Sequence, residues 1–240
     1  MKQERIDKII ATCSSYSRNE LKKAAKDGRV VCNGETVYDL SKKADPDIAE
    51  IYVDGNPIKV KKYTYIMLNK PLGVISASDG RGEKTVVDIL PDSLKREGLF
   101  PAGRLDKYTT GFVLITNDGD FAHNILSPRH HVKKTYIVTT DALLDDKALS
   151  EFEKGISLSD GTLFKPASIR LLDRNTREYE VIIVEGKYHQ IKRMFSHFGA
   201  KVIKLHRTAM GNLTLDHELA SGEARELSAD ELLKISQKDD

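Results

Sequence analysis

Ile6, Ile9, Ile10 and Cys13 recur at the spacing of one helical face, and Leu21, Ala24 and Ala25 repeat that spacing on a second stretch. Ser17-Arg18-Asn19-Glu20 opens the second helix as a capping box, in which Ser17 caps the first turn and Glu20 reaches back. Gly28 ends it. The period then shortens. Val30–Cys32 and Glu35–Tyr38 flank Asn33-Gly34, a two-residue hairpin signal. Ile48 to Val53 predicts another strand, closed by Asp54-Gly55. This helix–helix–hairpin unit occupies residues 1–60, and Lys59–Lys62, basic and without apolar periodicity, reads as a linker.

A larger domain is expected over residues 63–240. Tyr65–Leu68 reads as a buried strand, stopped by Asn69-Lys70-Pro71 and Gly73. Residues 76–84 are loop-like. Gly80 to Thr85 fails the P-loop spacing and reads as a surface turn. Further strands are predicted at 112–116, 134–140, 167–172, 179–184 and 202–205. Helices are predicted after Asp118-Gly119-Asp120, ending near Ser127-Pro128, and over 145–155, 190–198 and 229–236. Strands dominate and helices are intermittent. The expected class is therefore α+β, a small helix–helix–hairpin domain followed by a mixed, mostly antiparallel sheet.

Composition narrows the setting. No apolar run approaches the ~18 residues of a membrane span, and the charged start Met1-Lys2-Gln3-Glu4-Arg5 lacks a signal-peptide core, so a cytoplasmic protein is expected. Cys13 and Cys32 are the only cysteines, and they form neither a C-x-x-C pair nor a disulfide framework. The adjacent His130-His131 and the scattered other histidines have no H-x-x-x-H spacing or Cys partner, which argues against zinc. Net charge is only +2, yet residues 1–34 hold eight Lys/Arg against four Asp/Glu, and residues 216–240 hold three against eight. A basic N-terminal unit and a basic middle suit an anionic partner such as RNA, although mixed charge that merely solvates a surface would give the same totals.

Three segments concentrate candidate chemistry. Gly103-Arg104-Leu105-Asp106-Lys107-Tyr108-Thr109-Thr110-Gly111 sets one carboxylate between basic neighbours on a Gly-bounded turn. Cationic neighbours favour the ionised form of such a group. The second segment runs from Ser127 through Pro128-Arg129-His130-His131 to Tyr136, and the third from Glu185 to Phe195. Taken singly, Tyr136 in a β-run is most simply a core aromatic, and Lys192-Arg193 at a helix start is most simply solvated surface.

The nonapeptide resembles the catalytic motif of the pseudouridine synthases, in particular the branch typified by ribosomal small-subunit pseudouridine synthase A. Met67-Leu68-Asn69-Lys70-Pro71, Ser127–His131 and Tyr188–Phe195 carry the same resemblance and favour the small-subunit branch over its large-subunit relatives. The N-terminal unit resembles the alpha-L-type RNA-binding module, through Arg5-Ile6-Asp7-Lys8, Ser17-Arg18, Gly28-Arg29-Val30 and Asn33-Gly34.

The resemblance implies Asp106 as the catalytic aspartate, Tyr136 as the active-site tyrosine that stacks on the flipped base, and Lys192 as the basic partner of the aspartate. It implies Arg104 as a contact to the target nucleotide's backbone, Arg193 as a substitute should the register be off by one, and Leu205 as an apolar wall of the uracil pocket. Arg5, Lys8, Arg18, Lys22 and Arg29 would track phosphates. The implied activity is cofactor-free isomerisation of a uridine in small-subunit (16S) rRNA by a monomer. A large-subunit rRNA enzyme and a non-catalytic rRNA-binding assembly factor remain as alternatives. Tyr108 departs from the acidic residue usual at its place, which leaves Asp106 standing but puts the local loop contacts in question.

Overall fold

The computed structural model describes residues 3–46, 48–58, 63–127, 130 and 132–236. The expected linker at 59–62, and Pro128, Arg129 and His131 of the second segment, lie outside these residues.

In the N-terminal unit the helices are Ile6–Cys13 and Arg18–Lys26. Both halves of the capping box form: the Ser17 hydroxyl accepts from Glu20 N, and Ser17 N donates to the Glu20 carboxylate at 2.7 Å. Val30–Cys32 pairs with Glu35–Thr36 on one side and with Ile51–Val53 on the other, and Asn56–Ile58 extends the sheet to four strands. Ile6, Ile9, Ile10, Leu21, Val30, Ile51 and Val53 close into one buried cluster. The strand expected from Ile48 begins only at Ile51. Asp45 and Pro46 start a turn there, with Ala49 N donating to Asp45 O at 2.9 Å, and Ile48 is left exposed.

The rest of the chain is built on a mixed sheet, nine-stranded among the described residues. Its order is Ser168–Asp173, Glu178–Ile183, Lys134–Thr140, Val202–Met210, Thr110–Thr116, Tyr65–Lys70, Ala224–Glu226, with Leu213–Thr214 and Phe100–Pro101 alongside. All of these pairings are antiparallel except one. Val202–Met210 runs parallel to Thr110–Thr116, with His206 opposite Thr110 and Arg207 opposite Gly111. That single parallel seam joins two antiparallel halves.

Burial on both faces explains why the central strands read as continuous apolar runs. Alternate residues enter opposite cores: Ile66, Leu68, Val113 and Ile115 join one cluster, while Met67, Phe112 and Leu114 join the other. Both faces are buried, so both sets must be apolar. Helices Asp146–Lys154 and Gln190–His197 contribute Phe152, Met194 and Phe195 to the first core, whereas Gly119–Leu126 and Ala229–Ser236 contribute Ala122, Ile125 and Ile235 to the second.

The strand predicted at 202–205 runs on to Met210, carrying Arg207 fully into the interior, where its Nε donates to Phe112 O at 2.7 Å. Polar residues conceal strand continuation when their partners come from another strand. The acidic tail holds an unpredicted strand, Ala224–Glu226, whose Arg225 is clasped by Asp216 at 2.6 Å and Glu231 at 2.7 Å. Among the described residues, no helix is long and apolar enough to cross a membrane.

Gly111 lies at the seam with φ +101°, and a Cβ there would fall 2.2 Å from Arg207 O. Gly119, at a helix start, would meet nothing within 4 Å. Gly111→Ala is therefore expected to cost on the order of 3 kcal/mol or more, while Gly119→Ala stays within about 1 kcal/mol of the parent, as read by urea unfolding of both variants. Equal stabilities would contradict the seam's steric demand.

Candidate active site

The loop before Thr110–Thr116 alternates in burial: Ala102 and Leu105 turn inward, Arg104 and Tyr108 outward, and Asp106 sits half-buried between them. Several bonds hold it in shape. Thr109 N donates to Asp106 O at 3.0 Å, and Gly73 N to Lys107 O at 2.9 Å. The Ser76 hydroxyl lies 3.0 Å from both N and O of Leu105. Lys70, fully buried, drives its ammonium against the carbonyls of Pro71 (3.0 Å), Lys107 (3.3 Å) and Thr109 (2.8 Å). Three N–H donors meet three acceptors, so the cation is satisfied without a direct carboxylate. Burial nevertheless pushes the Lys70 ammonium down to about 8, against the opposing pull of the Asp106 charge.

The helix Gln190–His197 supplies the opposite wall. Lys192, in its first turn, places Nζ 2.8 Å from Asp106 Oδ2. A cation in the first turn is disfavoured by the helix dipole, and the facing carboxylate offsets that cost. His189 Nε2 lies 3.4 Å from the same oxygen.

The entry to this helix is braced from within. Gln190 donates to Glu185 at 2.9 Å and accepts from Lys187 N at 3.1 Å, and Glu185 also accepts from Lys165 N at 2.9 Å. Asp106 and Lys192 are about one-third exposed, so the pair is open to a ligand.

Tyr136, buried at the centre of its strand opposite Arg207, forms the floor of the cleft. Arg104, Asp106, Tyr136, Lys192 and Leu205 all line this one cleft, together with Ile183 and His189. The arrangement offers a carboxylate in contact with a lysine ammonium, in a cleft lined by a tyrosine and apolar side chains.

Arg193 goes elsewhere. Its guanidinium pairs with Asp160 at 2.5 Å, bonds Thr162 at 3.0 Å and lies over the Phe164 ring. One residue of helix is a turn of ~100°, so adjacent side chains cannot share a target. Sequence reasoning missed His189, which takes a left-handed conformation (φ 49°) as N-cap. The only signal was a helix start with no Ser, Thr, Asp or Asn cap.

Arg5, Lys8, Arg18 and Lys22 line a separate cavity with Tyr38 and Glu97, at the meeting of the N-terminal unit and the larger part. Arg5 pairs with Asp7, Lys8 with Glu4 and Arg18 with Glu97. Arg29 stands apart, held by Asp27 and Asp54.

The buried ammonium of Lys70 carries a pH signature. The unfolded lysine keeps its proton to about 10.5 and the folded one to about 8. Between those values the unfolded state binds more protons, so stability from this group rises as pH rises through that window, and its cost is full below pH 8. Urea unfolding at pH 7 and pH 10 is expected to show wild type gaining roughly 1–3 kcal/mol relative to Lys70→Met. A constant gap would contradict the assignment.

Residues 64–197 match the family model described as RNA pseudouridylate synthase. The chain is 42% identical over 230 residues to an uncharacterized RNA pseudouridine synthase, YtzG, of Bacillus subtilis, covering 95% of this chain and 96% of that protein. It is 39% identical over 233 residues to ribosomal small subunit pseudouridine synthase A of Escherichia coli K12, covering 96% and 99%. A crystal structure of a pseudouridylate synthase superposes with a TM-score of 0.68 at 37% identity, covering 96% of this chain and 99% of that one. With more than half its length matched by the family model and relatives of this closeness end to end, the chain belongs to the RNA pseudouridylate synthase family.

Proposed function

We propose that this protein isomerises a specific uridine of small-subunit (16S) rRNA to pseudouridine, with Asp106 as the catalytic carboxylate. The observation that carries the reading is the 2.8 Å contact between Lys192 Nζ and Asp106 Oδ2 in a cleft floored by Tyr136. In the reaction the N1–C1′ bond breaks, the uracil turns, C5 bonds to C1′, and the C5 hydrogen leaves as a proton while N1 gains one. No electrons or groups are exchanged with a donor, so no redox or group-transfer cofactor is required.

Each residue then has a task. Lys192 fixes the carboxylate and its charge. Tyr136 stacks on the extruded base, Leu205 walls the detached uracil, and Arg104 holds the nucleotide backbone. Extruding a stacked uridine costs a few kcal/mol, which phosphate contacts and stacking offset.

Residues 1–60 act as an alpha-L-type RNA-binding domain that orients the rRNA, and residues 63–240 as the catalytic domain. Four basic side chains in one N-terminal cavity support that division. The relatives named as small subunit enzymes support the 16S target and a cytoplasmic setting. The working unit is taken as a monomer.

Tritium release from 5-tritiated uridine in small-subunit rRNA, free and partly assembled, tests the reading. Wild type is expected to release tritium, and Asp106→Asn to release none while keeping its rRNA affinity within about threefold. Release by both proteins would show a different aspartate at work, and release only from large-subunit rRNA would move the target. For the N-terminal cavity, Lys22→Ala is expected to weaken rRNA binding at all sequences alike and to reduce the slope of log K against log salt by about 1. An unchanged slope would remove Lys22 from the phosphate contacts.

A further inference from the structure

Tyr188 is 76% exposed, and it lies next in sequence to the histidine that touches Asp106. Its ring is stacked on that of His189, with centroids 3.9 Å apart and planes inclined by 18°. Neighbouring side chains ordinarily diverge. Here the left-handed backbone of His189 turns the two rings onto each other. A non-glycine residue in that conformation is uncommon, and such strain concentrates where function holds it. The Glu185–Gln190 and Gln190–Lys187 bonds hold the segment in place from behind.

We propose that the Tyr188–His189 stack is a shelf for a nucleobase of the RNA strand adjacent to the uridine held at Asp106. This rests on the functional reading above. One face of the tyrosine is covered by the imidazole, while the side chain as a whole stays open to solvent. A stacked, pre-oriented aromatic loses little freedom when a base settles on it.

The surroundings suit a polyanion. Lys187 and Lys192 lie in the same segment, and Arg104 stands exposed across the cleft. Extruding a uridine also strips stacking from the bases on either side of it, and an aromatic beside the cleft replaces part of that contact. The shelf therefore contributes to substrate binding and to strand register, and it reads no hydrogen-bonding edge. Any of the four bases would fit it.

The test compares wild type, Tyr188→Phe and Tyr188→Ala in single-turnover tritium release from a small-subunit rRNA transcript carrying 5-tritiated uridine, across a range of enzyme concentrations. Tyr188→Ala is expected to raise the half-saturating concentration by roughly tenfold or more, with the loss falling chiefly there and less on the limiting rate. Tyr188→Phe keeps the ring face and restores the wild-type value. Near-UV photocrosslinking of a 4-thiouridine-substituted transcript is expected to mark the Tyr188 peptide.

An unchanged half-saturating concentration in Tyr188→Ala would overturn the shelf, as would a Phe variant as weak as the Ala variant, since the ring face would then not be what binds. Should wild type release no tritium, the functional reading fails. Filter binding of the same transcript by wild type and Tyr188→Ala then decides the shelf alone, equal affinities overturning it.

Discussion

The ion pair between Asp106 and Lys192 joins two segments that lie 86 residues apart along the chain. One is a loop that enters the central sheet at its parallel seam, and the other is the first turn of a helix packed on the sheet's core. The pair forms only if both are placed to within about an ångström, so much of the structure can be understood as the means of placing them. Gly111 lets the loop's strand approach the backbone of Arg207, and Lys70 ties the loop carbonyls of Lys107 and Thr109 to that of Pro71. Met194 and Phe195 anchor the helix in the core, while Gln190 and Glu185 fix its entry.

Cost and benefit are distributed unevenly around that pair. A cation in the first turn of a helix and a buried ammonium under the loop each oppose folding, and each is offset by something specific: the Asp106 carboxylate for Lys192, backbone carbonyls for Lys70. His189 adds a strained backbone. Similar costs recur elsewhere, in the buried Lys134 ammonium and the left-handed Arg177, while the N-terminal helices and hairpin follow ordinary rules of capping and turn chemistry.

The sequence was most readable where local physics decides structure. The capping box at Ser17, the Asn33-Gly34 hairpin and the strand Lys134–Thr140 appear where spacing and composition put them. The resemblance to pseudouridine synthases pointed to Asp106, Tyr136, Lys192, Arg104 and Leu205 as a group, and these five share a cleft.

What escaped depends on partners distant in the chain. The continuation through His206 and Arg207 is stabilised by Thr110 and Phe112. The edge strand Ala224–Glu226 pairs with Ile66, Met67 and Leu68, far from it in the chain. His189 carries little local signal beyond an uncapped helix start, because its contact is made across the cleft, and Arg193, named only as a substitute for Lys192, faces Asp160 through a rotation that only the helix's docking fixes.

If the Asp106–Lys192 pair acts as one unit, its two halves cannot be lost independently. Single-turnover tritium release from small-subunit rRNA by Lys192→Arg, Lys192→Met, Asp106→Asn and the Lys192→Met/Asp106→Asn double variant measures this directly. The expected result is substantial activity in Lys192→Arg, a loss of about a hundredfold or more in Lys192→Met, and a double variant no worse than Asp106→Asn alone. Wild-type rates in Lys192→Met would contradict the account, because the contact on which the proposed site is built would then have no part in the chemistry.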